Sequence, residues 1–339
     1  MNIDLRSDTV TMPTPGMKEA MFSAEVGDDV FGEDPSVQKL ERKCAELLGM
    51  EAGVYCPSGT MTNQIGIKIL TQPYEEAICY KGAHIYKYEG GGLMGNSQVS
   101  VKLLDGNRGR LSIEEIGSNI NIDDVHYPKT SVVALENTVV REAGSYYALS
   151  QIAAISDFAR SKGLAMHLDG ARFFNSIIET GDDSREYGKY FDTISICLSK
   201  GLGAPVGSVI LCKKEFEPKA RRIRKVFGGG MRQAGFMAAA GLYALENNIP
   251  RLREDHRRAK TLGKELATLP FVKSIMPVDT NIIIFELKNT TPELFLAKLA
   301  QHKIKALAFG HTQVRLVTHL DFSDLMLDKT IEALKKISF

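Results

Sequence analysis

No apolar run in this 339-residue chain approaches the ~20 residues of a membrane-spanning helix. Neither sign of charge is in excess: 42 Lys and Arg against 41 Asp and Glu leave a formal net charge of +1. That balance removes the electrostatic reason to expect nucleic acid or an anionic membrane as a partner. Cysteine is sparse. The five (Cys44, Cys56, Cys79, Cys197, Cys212) are odd in number, scattered, and mostly set among apolar residues. Without a CxxC pair they suit reduced, buried thiols in a cytoplasmic protein. The amino-terminal MNIDLRSDTV is polar and lacks the apolar core of a signal peptide. Repeats, low-complexity tracts and long linkers are lacking. So are HExxH and calcium-loop patterns, and no metal site is expected.

What is present is an ordinary globular composition, 44% hydrophobic and 24% charged, on a chain long enough for two domains. Short apolar runs alternate with helical periods. The runs AGVYC (52–56), AICY (77–80), SVVALE (131–136), GLAMHLD (163–169), TISICL (193–198) and GSVILC (207–212) read as strands. Helices are expected between them, notably over 36–48, 60–71, 150–161 and 231–247. This alternation predicts an α/β fold: a large domain with a mainly parallel sheet flanked by helices on both faces. Asn247-Asn248-Ile249-Pro250 is a stop signal. Beyond it, a charged helix (251–268), NIIIFEL (281–287), a helix near 291–303, VRLVTH (314–319) and a final helix predict a smaller C-terminal α+β domain. The expected division is an amino-terminal arm over 1–15 packing with the small domain, a large domain over 16–247 and a small domain over 248–339.

In open α/β sheets ligands collect beyond the carboxyl ends of the strands. After AGVYC comes Pro57-Ser58-Gly59-Thr60, opening a helix. Free N–H groups and a positive dipole end make such a turn a phosphate site, although a plain helix cap would look the same. GLAMHLD ends in Asp169, followed by Gly170-Ala171-Arg172. A buried strand-end acid needs either a partner, such as Arg172, or a purpose. TISICLS ends in Lys200, an ammonium at the seam of two buried stretches. A phosphate cradle, a strand-end acid and a strand-end lysine, in that order, are the parts that pyridoxal 5'-phosphate requires. The lysine amine condenses with the cofactor aldehyde, the acid keeps the pyridine nitrogen protonated, and the turn holds the phosphate.

The chain resembles the low-specificity L-threonine aldolases of the aspartate aminotransferase superfamily (fold type I). The stretches that carry the resemblance are LRSDTVT (5–11), VGDDVFGEDP (26–35), PSGTMTNQ (57–64), AHIYKYEGGG (83–92), LENT (135–138), HLDGARFFN (167–175), SICLSKGLGAPVGS (195–208), GGGMRQAG (228–235) and VRLVTHLD (314–321). The resemblance implies retro-aldol cleavage of L-threonine or L-allo-threonine to glycine and acetaldehyde. It makes Lys200 the cofactor lysine, Asp169 the partner of the pyridine nitrogen, and Arg172 a neighbour of the phenolic oxygen. Ser58, Gly59, Thr60 and Ser199 become phosphate ligands, and His84 the histidine stacked on the ring. His126, in DDVHYPKT, corresponds to a second active-site histidine, so His84, His126 or a water is the expected base. Arg315, with Ser7 assisting, would grip the substrate carboxylate. Lys225 and Arg232 resemble phosphate-side residues that reach a neighbouring subunit, implying a homo-oligomer, by family habit a tetramer, with its site at an interface.

The sequence departs from the family in two places. Val139 and Val140 stand where polar residues usually follow ENT, and Phe31 stands where tyrosine is usual. Gly90-Gly91-Gly92-Leu93-Met94-Gly95 satisfies GxGxxG. It follows polar IYKYE rather than an apolar strand, with no clear helix opening on it, so it is not a dinucleotide fingerprint. A β-eliminating lyase or a serine hydroxymethyltransferase would use the same cofactor parts; the latter also needs a folate site, for which no sequence is found. An aminotransferase would have to manage a keto-acid cycle as well. A non-catalytic cofactor-binding regulator is the alternative from another class; with LRSDTVT at residue 5 and near-neutral charge, no DNA-binding head is expected.

Overall fold

The structure, a computed structural model, describes residues 1–339. Thirteen strands run in chain order: β1 (Ile3–Asp4), β2 (Ala52–Cys56), β3 (Glu76–Tyr80), β4 (Ser100–Leu104), β5 (Thr130–Glu136), β6 (Ala165–Gly170), β7 (Thr193–Cys197), β8 (Ser208–Cys212), β9 (Val272–Ile275), β10 (Ile282–Leu287), β11 (Ile304–Lys305), β12 (Leu307–Ala308) and β13 (Gln313–Val317). The large sheet has the order β2-β8-β7-β6-β5-β3-β4. Its pairings are parallel except those of β8, which is antiparallel to both neighbours. Every residue of β2, β3, β5, β7 and β8 is buried, as expected for strands covered by helices on both faces.

Local chemistry sets the covering helices. Pro35–Leu48 starts on Asp34, whose carboxylate accepts from the Val37 N–H at 3.0 Å, and has proline in its first turn. It ends at Gly49, φ 64°, in the left-handed region glycine tolerates best. Val37, Leu40, Cys44, Ala45 and Leu48 recur every three or four residues and form its buried face. Gly235–Asn247 is buried by its run of Ala and Gly. A methyl at Gly241 would stand 2.8 Å from Leu198 Cδ1 and 3.1 Å from Leu40 Cδ2, so glycine sets how closely this helix approaches the layer beneath.

A second sheet, β12-β13-β10-β9, is antiparallel throughout, and β1 pairs with β11 in parallel. Its own core includes Ala259, Leu262, Phe285, Phe295, Leu316 and Leu334, joined by Ile3 and Leu5 from the amino-terminal segment. The helix Leu252–Leu266 begins with Leu252 in the large core and ends with Leu266 in the smaller one. The chain therefore passes from one core to the other along a helix rather than through a linker. Val139 packs in the large core, while Val140 packs with Ile282, Ile284, Phe309 and Val317. The two valines that depart from the family pattern thus seal the contact between the sheets. The glycine run differs from expectation: a short helix, Gly92–Ser97, does open there. It follows the helical turn His84–Lys87 rather than a strand, so the dinucleotide context is still missing. No helix is long and apolar enough to cross a membrane.

Candidate active site

Residues that follow the carboxyl ends of β3, β5, β6 and β7 converge on one cavity between the two sheets. Its volume is about 380 Å³, and Ser7, His84, Arg172, Lys200, Phe309 and Arg315 are among the residues lining it. A larger cleft of about 700 Å³ lies elsewhere, under the loop bearing Phe31, with Arg221, Arg222 and Lys225 in its wall. It collects none of the strand-end groups, so the smaller cavity is the chemical one.

Behind the cavity lies a buried polar network centred on Asn63, in the helix Gly59–Leu70. Asn63 Nδ2 donates to Glu89 at 2.8 Å and to Asp169 at 3.1 Å, which uses both amide protons. Its Oδ1 faces His167 Nε2 at 3.2 Å, so that nitrogen carries the proton. Nδ1 then accepts from the Thr193 hydroxyl at 2.8 Å. Burial holds His167 down at about 4, against the pull of Asp169, keeping it neutral. The second Asp169 oxygen accepts from the Ala171 N–H at 3.1 Å. A carboxyl group held by two fixed donors, one on each oxygen, is rigid and buried.

His84 caps this network on the cavity side. Its Nδ1 lies 3.0 Å from Glu89 Oε1, and its backbone N–H donates to Glu136 at 3.1 Å. Burial pushes the imidazole down, but the Glu89 and Asp169 carboxylates outweigh burial and Lys200, leaving it above the usual histidine value. Burial first, then the charge of Asp169, raises Glu136 to about 7. The donor atoms of His84, Glu89 and Asp169 lie within 4.8 Å of one another. With Asn63, Gln64 and the His84 ring already serving Glu89, this cluster is a hydrogen-bonded network.

Arg172 does not pair with Asp169. Its Nε and Nη2 donate to Asp8 Oδ2 and Oδ1 at 2.8 and 2.6 Å, a buried fork to the amino-terminal segment. Burial would raise Asp8, but Arg172 and then Lys200 hold it at about 2. Arg315 is different. Its Nη2 donates to the Arg6 carbonyl at 3.0 Å, while its Nε is buried without a partner. Burial, aided by the charge of Arg172, lowers it to about 10. A desolvated guanidinium without a carboxylate is costly unless an anion arrives.

At the phosphate end, the Ser58 hydroxyl caps its own helix by accepting from the Met61 N–H at 3.3 Å, leaving the first N–H groups, at Gly59 and Thr60, pointing outward. Ser208 Oγ is buried without a partner and lies 3.5 Å from where a Gly59 Cβ would stand. Ser199 and Lys200 follow β7 directly. An anion site, a rigid carboxylate and a cavity-lining lysine fit pyridoxal 5'-phosphate. Lys200 would carry its aldehyde carbon, Asp169 its ring nitrogen, and the Gly59 helix terminus its phosphate.

Three expected site residues lie elsewhere in the chain. His126 is 83% exposed, its Nδ1 2.7 Å from Asp124, and does not line the cavity. Arg232 is exposed and pairs with Asp28 at 3.0 Å. Lys225 lines the larger cleft. Conversely, Asp8, Asn63, Glu89, Glu136, Arg141 and Phe309 belong to the site or its support, yet had no assigned role. The first three lie inside the quoted motifs LRSDTVT, PSGTMTNQ and AHIYKYEGGG.

Comparison with known proteins identifies the family of the chain. Residues 4–290 match the family described as beta-eliminating lyases. A low specificity L-threonine aldolase of Escherichia coli (strain K12) is 39% identical over 322 residues, covering 95% of each chain. Low-specificity L-threonine aldolase 1 of Arabidopsis thaliana is 37% identical, over 94% of this chain and 91% of its own. Among solved structures, the threonine aldolase of Leishmania major superposes with a TM-score of 0.85 at 21% identity, covering 98% of this chain and 99% of that one. Sequence and site together place the chain in the beta-eliminating lyase family, among the low-specificity L-threonine aldolases.

Proposed function

We propose that this enzyme cleaves L-threonine and L-allo-threonine to glycine and acetaldehyde with pyridoxal 5'-phosphate as cofactor. The observation that carries the assignment is Arg315, a half-buried guanidinium whose Nε is buried and free, lining the same cavity as Lys200 and His84. An amino-acid carboxylate satisfies its fork bidentately. Ser7 lines the cavity beside it and assists. Gripping the carboxylate orients the substrate so that the Cα–Cβ bond, rather than Cα–H, is the one that breaks.

The cofactor supplies, when bound, a conjugated ring that accepts the electron pair of the breaking bond. Asp169 would keep a proton on its ring nitrogen, and the Asn63 and Ala171 donors hold the Asp169 carboxyl in place. Arg172, with two of its nitrogens committed to Asp8, has Nη1 left for the phenolic oxygen. Ser199, with the Ser58-Gly59-Thr60 turn, holds the phosphate. His84 is the base for the β-hydroxyl proton. With Nδ1 tied to Glu89, its Nε2 is free for the substrate or a bridging water.

The oligomer belongs to this proposal. His126, Lys225 and Arg232 serve no group in their own cavity, and exposed positions suit residues that complete the site of a second copy in a homotetramer. Five free, buried cysteines support a reducing, cytoplasmic location.

Incubation of the cofactor-loaded enzyme with L-threonine should release acetaldehyde and glycine in equal amounts. Ammonia with a keto acid instead would make it an eliminating lyase.

A further inference from the structure

Three guanidiniums line the cavity: Arg141, Arg172 and Arg315. Arg172 is neutralised by Asp8, and Arg315 is reserved for the substrate's α-carboxylate. Arg141 is left over. It follows the buried Val140, its Nη1 donates to the Tyr88 hydroxyl at 2.7 Å, and its Cζ lies 4.4 Å from the centre of the buried Phe309 ring. The Arg315 Cζ lies 5.2 Å from the centre of that same ring. Arg141 pairs with no acid. The adjacent Glu142 accepts instead from the Tyr80 hydroxyl.

We infer that the cavity accepts β-hydroxy-α-amino acids carrying a second carboxylate on Cβ, of which 3-hydroxyaspartate is the smallest, and that Arg141 recognises the distal carboxylate. This inference rests on the aldolase proposal above. A threonine methyl asks for apolar surface, and a guanidinium held at that place by a hydroxyl and a ring would gain nothing from it. Two guanidiniums set against one ring, with Cζ 4.4 and 5.2 Å from its centre, offer a fork for each of the two carboxylates of a four-carbon acid. Arg141 is also among the charges that disfavour the Arg315 cation, a repulsion a dianion relieves. The sequence departure after ENT therefore acquires a role. Val139 and Val140 anchor the backbone that presents Arg141.

The reaction balances without a co-reactant. The Cα–Cβ bond of 3-hydroxyaspartate breaks, and its electron pair stays with Cα. The β-hydroxyl loses its proton as its carbon becomes the aldehyde of glyoxylate, and Cα gains one proton to give glycine. Nothing is oxidised or reduced overall.

The test compares L-3-hydroxyaspartate, both β-epimers, with L-threonine on the cofactor-loaded enzyme. Glyoxylate should form, and Arg141→Gln should lower the ratio of kcat/KM for hydroxyaspartate over threonine at least about tenfold. Arg141→Lys should restore part of that ratio. Calorimetry with succinate and butyrate supplies a readout apart from turnover: succinate should bind at least about tenfold tighter, and Arg141→Gln should bring the two together. Threonine cleavage without glyoxylate overturns the inference and leaves the aldolase assignment standing. So does a ratio unchanged by Arg141→Gln, or equal binding of the two acids. Failure to cleave threonine would sink the aldolase assignment instead, and the succinate comparison would still decide whether Arg141 binds a second carboxylate.

Discussion

Asp8 and Arg172, 164 residues apart in sequence, form a two-point fork that is buried on both sides. The fork ties the amino-terminal segment to the turn after β6. Removing one member leaves the other charged and unpaired, a loss of about 3–5 kcal/mol for a buried pair. Asp8→Asn should therefore lower stability by about that amount in chemical denaturation. The wild type carries a matching acid sensitivity. Asp8 is held at about 2 against an ordinary value of 3.8, so its contribution is fully present above pH 4 and is lost as pH falls from there towards 2. Asp8→Asn should flatten the stability curve in that window.

Arg315 gives the opposite relation between stability and activity. Arg315→Met removes a half-buried cation that has no acid partner in the chain. The melting temperature should match or exceed that of the wild type, while kcat/KM for threonine falls by about two to three orders of magnitude, the usual loss for a desolvated ion pair. A large fall in both would show that Arg315 is structural.

Lys200→Ala should abolish turnover. Pyridoxal 5'-phosphate should then dialyse away from the variant while remaining with the wild type, as visible absorbance would report. Turnover without added amine would refute the role given to Lys200.

Glu89 raises the His84 pKa through their 3.0 Å contact. Glu89→Gln keeps the shape and removes the charge, so the imidazole should lose its proton at lower pH. A base must be neutral to act, so the acid limb of the kcat/KM profile should move to lower pH. A limb that stays in place assigns proton removal to another group.

Gly66 faces His167. A methyl there would meet the ring at 2.6 Å, and that ring is pinned by Thr193 and Asn63. Gly66→Ala should cost about 1–3 kcal/mol by overpacking. Because Asn63 also holds Asp169, it should weaken cofactor binding, measurable by titration of the cofactor-free enzyme.

Much of this was legible in the sequence because buried parallel strands are continuous apolar runs, and the residue after each run falls at the site. Lys200, Asp169 and the Ser58 turn were found that way. β4 was missed because SVKLL lies at the sheet edge, half exposed and interrupted by Lys102. Pairings across the fold left no local trace. From sequence the natural partner of Arg172 was Asp169, three residues away, whereas the structure gives it Asp8. Asn63 and Glu89 sit within stretches that carry the family resemblance, but only the fold shows that they touch Asp169 and His84. His126 illustrates the converse: a motif can place a residue in a family's site while the single chain leaves it at the surface.

The parallel pairing of β1 with β11 joins Ile3 to Ile304 and Asp4 to Lys305. On a ribosome adding roughly 5–20 residues per second, β1 waits on the order of tens of seconds for its partner. Ser7 and Asp8 hang directly from that strand. The pocket is therefore completed late, and a nascent chain gains its substrate grip only after Arg315 has been made.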